Sequence, residues 1–240
     1  MKGEVSMKKL IVILGLAALL PAFVFAQQTE GIDVTRLGKD QAQQELVEVS
    51  VSKFEDVAFW GSSMMLDDGI VTIRRFEGSP LDKQPIAGEE ESNIEETDRY
   101  VLGSKTIFFR RAKSSVSIFP VRPIPIEGIT KTISVWVVGR NFNHTLKVIV
   151  ADYFNQPREI TMGKLNFMGW KQMTAAIPPR IVQDEYHYTS DRGLKLIGFK
   201  IEFDLMESYG TYYAYFDGLT AVTDLFAETY RDPDDMTDGW

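Results

Sequence analysis

The sequence predicts an all-β protein, an antiparallel β-sandwich with a jelly-roll-like arrangement and few short helices. Two observations lead to this prediction: short runs in which apolar and polar residues alternate, and clusters of turn-forming residues between the runs. Alternation with a period of two is typical of strands that have one face in a core and one in solvent. The clearest run is 197–205, where odd positions are large and apolar and even positions are Gly, Lys, Glu and Asp.

Similar runs follow one another along the chain. In order, they are 46–51, 69–76, 100–111, 116–121, 133–137, 146–150, 159–166, 172–177, 197–205 and 211–223. Turn-forming residues separate many of them, for example at 67–69, 139–141 and 191–193. Because no long amphipathic helix lies between the runs, they favour an antiparallel sandwich over a parallel α/β sheet.

The first residues have the pattern of an export signal. An apolar run at 10–20 follows two lysines and is shorter than the roughly 20 residues of a membrane-spanning helix. Val24 and Ala26 then stand at the −3 and −1 positions of a cleavage site. We therefore predict a cleaved signal peptide at 1–26.

The remaining chain is predicted to have two parts. Residues 27–226 are expected to form a single β-sandwich domain, and residues 227–240 an acidic C-terminal tail. No cysteine follows the apolar run, so a lipidated N-terminus is excluded and no membrane anchor is expected. Met1 and Met7 are alternative starts, since Glu4 suits a positively charged signal region poorly.

The composition excludes several catalytic and binding chemistries. Among 240 residues there is no cysteine and there are two histidines, so disulfides and thiolate metal sites are excluded and a Ser–His–Asp triad is disfavoured. The formal net charge of −8 argues against nucleic acid as a partner. His187 is interpreted as a surface residue, and His144 as part of a tight strand connection. We predict no catalytic residue, metal ligand or cofactor, and the protein is not expected to be an enzyme.

Charge is distributed unevenly along the chain. Residues 88–98 carry six acidic side chains and no basic one, whereas 99–126 carry six basic side chains and no acidic one. A molecule with a basic patch and acidic segments can dock on copies of itself or on an acidic partner. The alternative is that these charges only solvate outward faces. The candidate interface residues are Arg110, Arg111, Lys113 and Arg122.

Aromatic residues suggest an alternative function. Several crowd one segment, and three tryptophans are spread through the chain: Tyr209, Tyr212, Tyr213, Tyr215, Phe216, Trp60, Trp136 and Trp170. Alternate aromatics either fill the core or, when exposed, stack on sugar rings or meet a protein partner. The core interpretation is favoured, and a secreted carbohydrate-binding module is the alternative function.

Three segments carry a family resemblance. They are 128–139 (GITKTISVWVVG), 162–171 (MGKLNFMGWK) and 213–219 (YAYFDGL), with Asn141, His144, Leu146 and Asp152 between the first two. In these segments the chain resembles the spirochaete flagellar filament outer layer proteins, the sheath proteins of periplasmic flagella. The specific part of the resemblance spans about 129–226, and 27–128 match only loosely.

The resemblance implies a structural role in the periplasm. It implies a sheath subunit that coats the flagellin core of the filament, contributes to filament shape, stiffness and motility, and has no enzymatic activity. The implied partners are the core flagellin filament and other sheath proteins, with self-association along the filament. The residues that carry the resemblance form strands and turns, so they indicate fold and family and do not mark a site.

Overall fold

Strands make up most of the computed structural model, which describes residues 45–86, 98–184 and 193–225. The strands are β1 (Leu46–Ser52), β2 (Trp60–Met64), β3 (Gly69–Glu77), β4 (Tyr100–Phe108), β5 (Ser115–Pro120), β6 (Ile124–Ile126), β7 (Ile129–Val138), β8 (Thr145–Ala151), β9 (Pro157–Lys164), β10 (Trp170–Ala176), β11 (Leu194–Glu202) and β12 (Thr211–Asp224). Four predicted features lie outside the described residues: the signal peptide at 1–26, the acidic tail at 227–240, His187, and residues 88–97 of the acidic segment 88–98.

The strands form two six-stranded sheets in which every pairing is antiparallel. Sheet A has the order β10-β7-β12-β4-β3, and sheet B has the order β2-β5-β11-β8-β9. In sheet A the long strand β12 pairs with β4 along its first half and with β1 along its second half. In sheet B the short strand β6 pairs with β11 beyond the end of β5. The predicted antiparallel sandwich is confirmed.

Helix contributes little to the described residues. The helical element there is a 3-10 turn at Val57–Phe59, where the Oδ1 atom of Asp56 accepts a hydrogen bond of 2.9 Å from the N–H of Ala58. Within the same ranges, no helix is long and apolar enough to cross a membrane. The described residues all fall in one compact unit. The domain bounds at residues 26 and 226 stay predictions.

The core consists of alternate side chains from the facing sheets. Ile133, Val135 and Val137 on β7 are fully buried, as the alternation in the sequence predicts. Phe199 of sheet B packs against Phe216 of sheet A with ring centroids 5.6 Å apart. Burying side chains of this size contributes about 2 kcal/mol each. The buried aromatics therefore join the two sheets.

The strand predicted at 197–205 has different bounds in the structure, where β11 runs from Leu194 to Glu202. This strand contains a bulge. The register with β8 shifts between Leu196 and Gly198, and Gly198 has a φ of +148°. A Cβ atom at Gly198 would collide with the carbonyl oxygen of Ile118. Because of the bulge, even positions before it and odd positions after it point into the core.

Candidate functional site

The structure divides the predicted interface residues between two ends of the sandwich. Arg110, Arg111 and Lys113 lie in the loop that connects β4 to β5. The turns after β2 and β11 lie at the same end of the sandwich. We call this the 109–114 end. Arg122 follows β5, whose six residues span about 20 Å, so it lies at the opposite end. Their interface role stays a prediction, and it now applies to two separate places.

The three residues at the 109–114 end have different surroundings. The Arg110 guanidinium contacts the carboxylate of Asp68, with Nε at 2.9 Å and an Nη atom at 2.7 Å, and that carboxylate is buried. The Arg111 guanidinium lies 5.0 Å from the ring centroid of Tyr209. In the described part of the chain, no carboxylate forms an ion pair with Arg111 or Lys113. Arg110 is thus paired within the fold, whereas Arg111 and Lys113 are available to a partner.

The outer face of sheet A carries a polar cleft of about 460 Å³ beneath residues 79–86. Asp217 lies at its base with no exposed side-chain surface. Its Oδ1 atom accepts hydrogen bonds from Lys83 Nζ at 3.0 Å and from the N–H of Gly218 at 2.7 Å, and its Oδ2 accepts one from Ser79 Oγ at 3.3 Å. Burial raises the pKa of Asp217, and the Lys83 ammonium opposes this effect. The ion pair therefore fastens residues 79–86 to sheet A.

A second ion pair and a glycine complete this cleft. Lys83 Nζ also lies 2.7 Å from Oδ2 of Asp98, so it bridges two carboxylates. Gly218 has a φ of +50°, and a Cβ atom there would lie 2.8 Å from Cε of Lys83. Sequence reasoning did not identify this site. The sequence feature that could have indicated it is Asp217-Gly218 inside the apolar run of β12, because a carboxylate buried in a strand needs a charged partner.

A smaller aromatic groove of about 240 Å³ lies on the same face of sheet A. Its lining combines Ile107 with cationic and aromatic side chains from β3, β4 and β12: Arg74, Phe76, Lys105, Tyr213 and Tyr215. The rings of Phe76 and Tyr215 meet edge to face at 5.5 Å, and Lys105 Nζ lies 5.8 Å from the ring centroid of Tyr213. The aromatic crowding in the sequence therefore divides between two faces of β12. Tyr212 and Phe216 fill the core, and Tyr213 is exposed.

The outer face of sheet B differs because its charged side chains pair with one another. Lys147 Nζ contacts Glu202 at 2.7 Å and Glu159 at 3.2 Å, and Lys200 Nζ contacts Glu159 at 2.8 Å. The hydrogen bond to Glu202 raises the pKa of Lys147, and the hydrogen bond from Lys200 lowers the pKa of Glu159. This ladder leaves few unpaired charges for a partner, so sheet A and the 109–114 end are the stronger candidate surfaces.

His144 is a core residue. Its side chain is fully buried against the rings of Phe142, Phe203 and Tyr212, and Nδ1 accepts a hydrogen bond of 3.1 Å from the N–H of Asp204. Burial lowers the pKa of His144 to about 4. The neutral imidazole is therefore the form that the fold holds. Among the described residues, no group of three or more His, Asp and Glu side chains is arranged to hold a metal ion.

Solved structures with a similar fold include carbohydrate-binding modules. One module of the β-sandwich superfamily has a TM-score of 0.46 and 10% identity, over 73% of this chain and 61% of that chain. The family 11 module of the cellulase Lic26A-Cel5E of Clostridium thermocellum has a TM-score of 0.43 and 13% identity, over 73% of this chain and 94% of that chain. At these identities the similarity concerns the fold alone.

Sequence comparison is more specific. The family model described as flagellar filament outer layer protein matches residues 25–231. A flagellar filament outer layer-like protein of Brachyspira hyodysenteriae is 39% identical over 203 residues, which cover 85% of this chain and 91% of that protein. A flagellar filament outer layer protein of Spirochaeta aurantia is 41% identical over 46 residues, 19% of this chain and 14% of that protein. The resemblance in the sequence is thus confirmed, and the chain belongs to the flagellar filament outer layer protein family.

Proposed function

We propose that this protein is a sheath subunit that coats the flagellin core of a periplasmic flagellar filament and contributes to the filament's shape, stiffness and motility. The observation that carries the proposal is the family match over residues 25–231, together with 39% identity to a relative that the alignment covers almost completely. The protein acts by contact and not by catalysis. Export through the predicted signal peptide at 1–26 would deliver it to the periplasm.

The surfaces of the molecule suit repeated, modest contacts. Arg111 and Lys113 project from the 109–114 end without an ion-pair partner among the described residues. Exposed charges of this kind steer docking, and salt screens them over about 10 Å. A subunit on a polymer makes the same contact many times, so weak individual contacts sum to stable coating.

Co-sedimentation with purified flagellin filaments tests this proposal. We expect the protein to pellet with the filaments to a saturating stoichiometry, and the bound fraction to fall as salt rises. The double variant Arg111→Glu/Lys113→Glu should bind about tenfold more weakly. The matched control is Arg75→Glu/Lys171→Glu, which changes the net charge equally at exposed sites on strands β3 and β10, away from both ends of the sandwich. A wild-type protein that stays in the supernatant contradicts the proposal.

Carbohydrate binding is the second candidate function, and the aromatic groove on sheet A favours it. Tyr213 is exposed beside Lys105, and a ring next to a hydrogen-bond donor is an arrangement that can hold a sugar. Titration calorimetry with oligosaccharides tests this candidate. Saturable heat that disappears in Tyr213→Ala supports it, and the absence of heat with any glycan, including glycans released from flagellin, removes it.

A further inference from the structure

The 109–114 end exposes a cluster of large apolar side chains, which we call the apolar patch. Its members come from three loops: Met65, Leu66, Phe109, Leu205, Met206 and Tyr209. Their exposed fractions run from 51% for Leu205 to 86% for Leu66. Single exposed apolar residues are common, but a cluster of this size is typical of a protein–protein contact.

Backbone hydrogen bonds hold the three loops side by side. The N–H of Phe109 donates to the carbonyl oxygen of Asp68 at 2.9 Å, and the N–H of Phe108 donates to that of Gly210 at 3.1 Å. The N–H of Phe203 donates to the carbonyl oxygen of Ser114 at 3.0 Å. The patch is therefore built on a fixed frame, and a partner would meet a surface that already has its shape.

The charged groups around the patch leave cations for a partner. The carboxylate of Asp68 binds Arg110, and that of Glu207 accepts hydrogen bonds from Asn143 at 2.6 and 3.0 Å. Asp204 accepts a hydrogen bond from the N–H of Met206 at 2.8 Å. These carboxylates have internal donors, but that of the exposed Asp67, next to Leu66, has none among the described residues. The unpaired charges of these loops are therefore one carboxylate and two cations, Arg111 and Lys113, so the cations are in excess. The patch therefore suits a segment that is both apolar and acidic.

Residues 227–240 have that composition. The segment contains Tyr230, Met236 and Trp240 among its acidic residues, which are Glu228, Asp232, Asp234, Asp235 and Asp238, with Arg231 as its one basic residue. It lies outside the described residues, but it follows β12 in the chain, so the end of β12 shows where it begins. That strand begins at the 109–114 end and finishes at the opposite end of the sandwich, at Asp224.

Distance limits the contact that this segment can make with its own patch. Strand β12 has 14 residues and spans about 45 Å at 3.3 Å per residue. Asp235 follows Asp224 by 11 residues, so a fully extended chain carries it at most about 40 Å. Its acidic residues 232–235 therefore fall short of the patch in the same molecule, even on a straight path. Within the segment, only residues 237–240 span that length, and only on a fully extended path. The same segment of a second copy, stacked end to end, starts beside the patch and reaches it with all of its acidic residues.

We propose that the apolar patch binds residues 227–240 of a neighbouring copy, so that molecules associate head to tail in open rows. The patch and the acidic segment lie at opposite ends of one molecule, and such a heterologous contact repeats without closing. In this contact Arg111 and Lys113 meet the acidic side chains, and the apolar residues of the segment cover the patch. The inference rests on the proposed sheath role for its biological setting, where the rows would follow the filament.

Sedimentation velocity of the purified protein, without filaments, tests the contact. The weight-average mass of the wild type should rise with concentration, through species larger than a dimer, and fall at high salt. Arg111→Glu/Lys113→Glu and Leu66→Ser/Met206→Ser should each weaken association at least about tenfold. The control Arg75→Glu/Lys171→Glu, at exposed sites on β3 and β10 away from both ends, should associate like the wild type, and circular dichroism checks that each variant is folded.

Charge reversal in trans identifies the occupant. The variant Asp232→Lys/Asp234→Lys/Asp235→Lys should not associate alone, nor should Arg111→Glu/Lys113→Glu. A mixture of the two should associate, because each tail then meets a patch of opposite charge. Unchanged association of the tail variant, no association in the mixture, or growth that stops at a dimer overturns the inference. A wild type that stays monomeric also overturns the inference. That result would not contradict the sheath role, which the co-sedimentation with filaments tests separately.

Discussion

Lys83 Nζ lies 3.0 Å from Oδ1 of Asp217, a carboxylate with no exposed surface, although 134 residues separate the two in the chain. The contact joins the connection after β3 to the middle of β12. It also shapes the polar cleft on sheet A, because the lysine passes over Gly218 where a larger residue would displace it. The Lys83–Asp217 ion pair therefore positions the connection after β3 over this part of the face.

Removal of Lys83 should destabilise the fold, since it leaves a buried carboxylate without its charge partner. We expect Lys83→Met to lower the free energy of unfolding by about 3 kcal/mol, measured by urea denaturation. The double variant Lys83→Met/Asp217→Asn should recover most of this loss, because no buried charge then remains. A loss for the single variant as small as that for the double variant contradicts this description of the pair.

The stability of the protein should fall in mild acid because of His144. Its pKa is about 4 in the folded protein, against 6.5 ordinarily, because burial disfavours the imidazolium; Glu207 and Asp204 oppose this effect only in part. The folded state therefore binds fewer protons than the unfolded state between these values. The stabilisation is complete above pH 6.5 and is lost as the pH falls to 4, by about 3 kcal/mol in total.

The variant His144→Phe tests that assignment. It should cost about 1 kcal/mol above pH 6.5, because the N–H of Asp204 loses its acceptor. It should also flatten the slope between pH 6.5 and 4, so that the variant becomes the more stable protein near pH 4. Urea denaturation at several pH values measures both effects. An equal slope in the variant and the wild type would assign the acid sensitivity to other groups.

The bulge in β11 should depend on Gly198. Gly198→Ala should lower the free energy of unfolding by about 3 kcal/mol, because the new methyl group meets the carbonyl oxygen of Ile118 in the paired strand. The matched control is Gly210→Ala. Gly210 also has a positive φ, +69°, but no atom lies within 4 Å of a Cβ there, so about 1 kcal/mol is expected. Equal losses in the two variants would show that steric contact does not fix the bulge.

Neighbouring arginines at the 109–114 end should differ in their effect on stability. Arg110→Ala should cost about 2 kcal/mol, because the buried carboxylate of Asp68 loses its charged donor. Arg111→Ala should change stability by no more than about 0.5 kcal/mol, because its guanidinium contacts only an exposed ring. Thermal denaturation compares the two variants. A destabilised Arg111→Ala would indicate a structural role for that residue too.

The fold class could be predicted because it depends on local alternation. In the runs that became β7 and β8, the alternating apolar residues at 133, 135, 137, 146, 148 and 150 are buried as the pattern indicates, although Thr132 and Ser134 of β7 are buried as well. Strands β2 and β6 were not predicted, since their sequences WGSSM and IPI contain glycine, serine and proline, which weaken the strand signal. The bulge at Gly198 also escaped prediction: the apolar residues change from even to odd positions at the adjacent pair Leu196-Ile197, and the predicted run began only at that change.

The candidate surfaces could be predicted only in part. The count of basic residues indicated Arg110 and Arg111 equally, but the sequence does not show that Asp68 is buried beside one of them. Lys83 and Asp217 meet through a contact across sheet A that no local pattern encodes. The apolar patch likewise consists of single residues in three separate loops, and the fold alone places them together.

Fractionation of native filaments tests the central claim most directly. After removal of the outer membrane with detergent, the filaments are sedimented and the protein is measured in the pellet and the supernatant by quantitative mass spectrometry. The sheath role predicts that the protein pellets with flagellin and is released by high salt or mild acid before the flagellin core dissociates. Recovery of the protein only in the periplasmic or culture supernatant, with flagellin alone in the pellet, would contradict it.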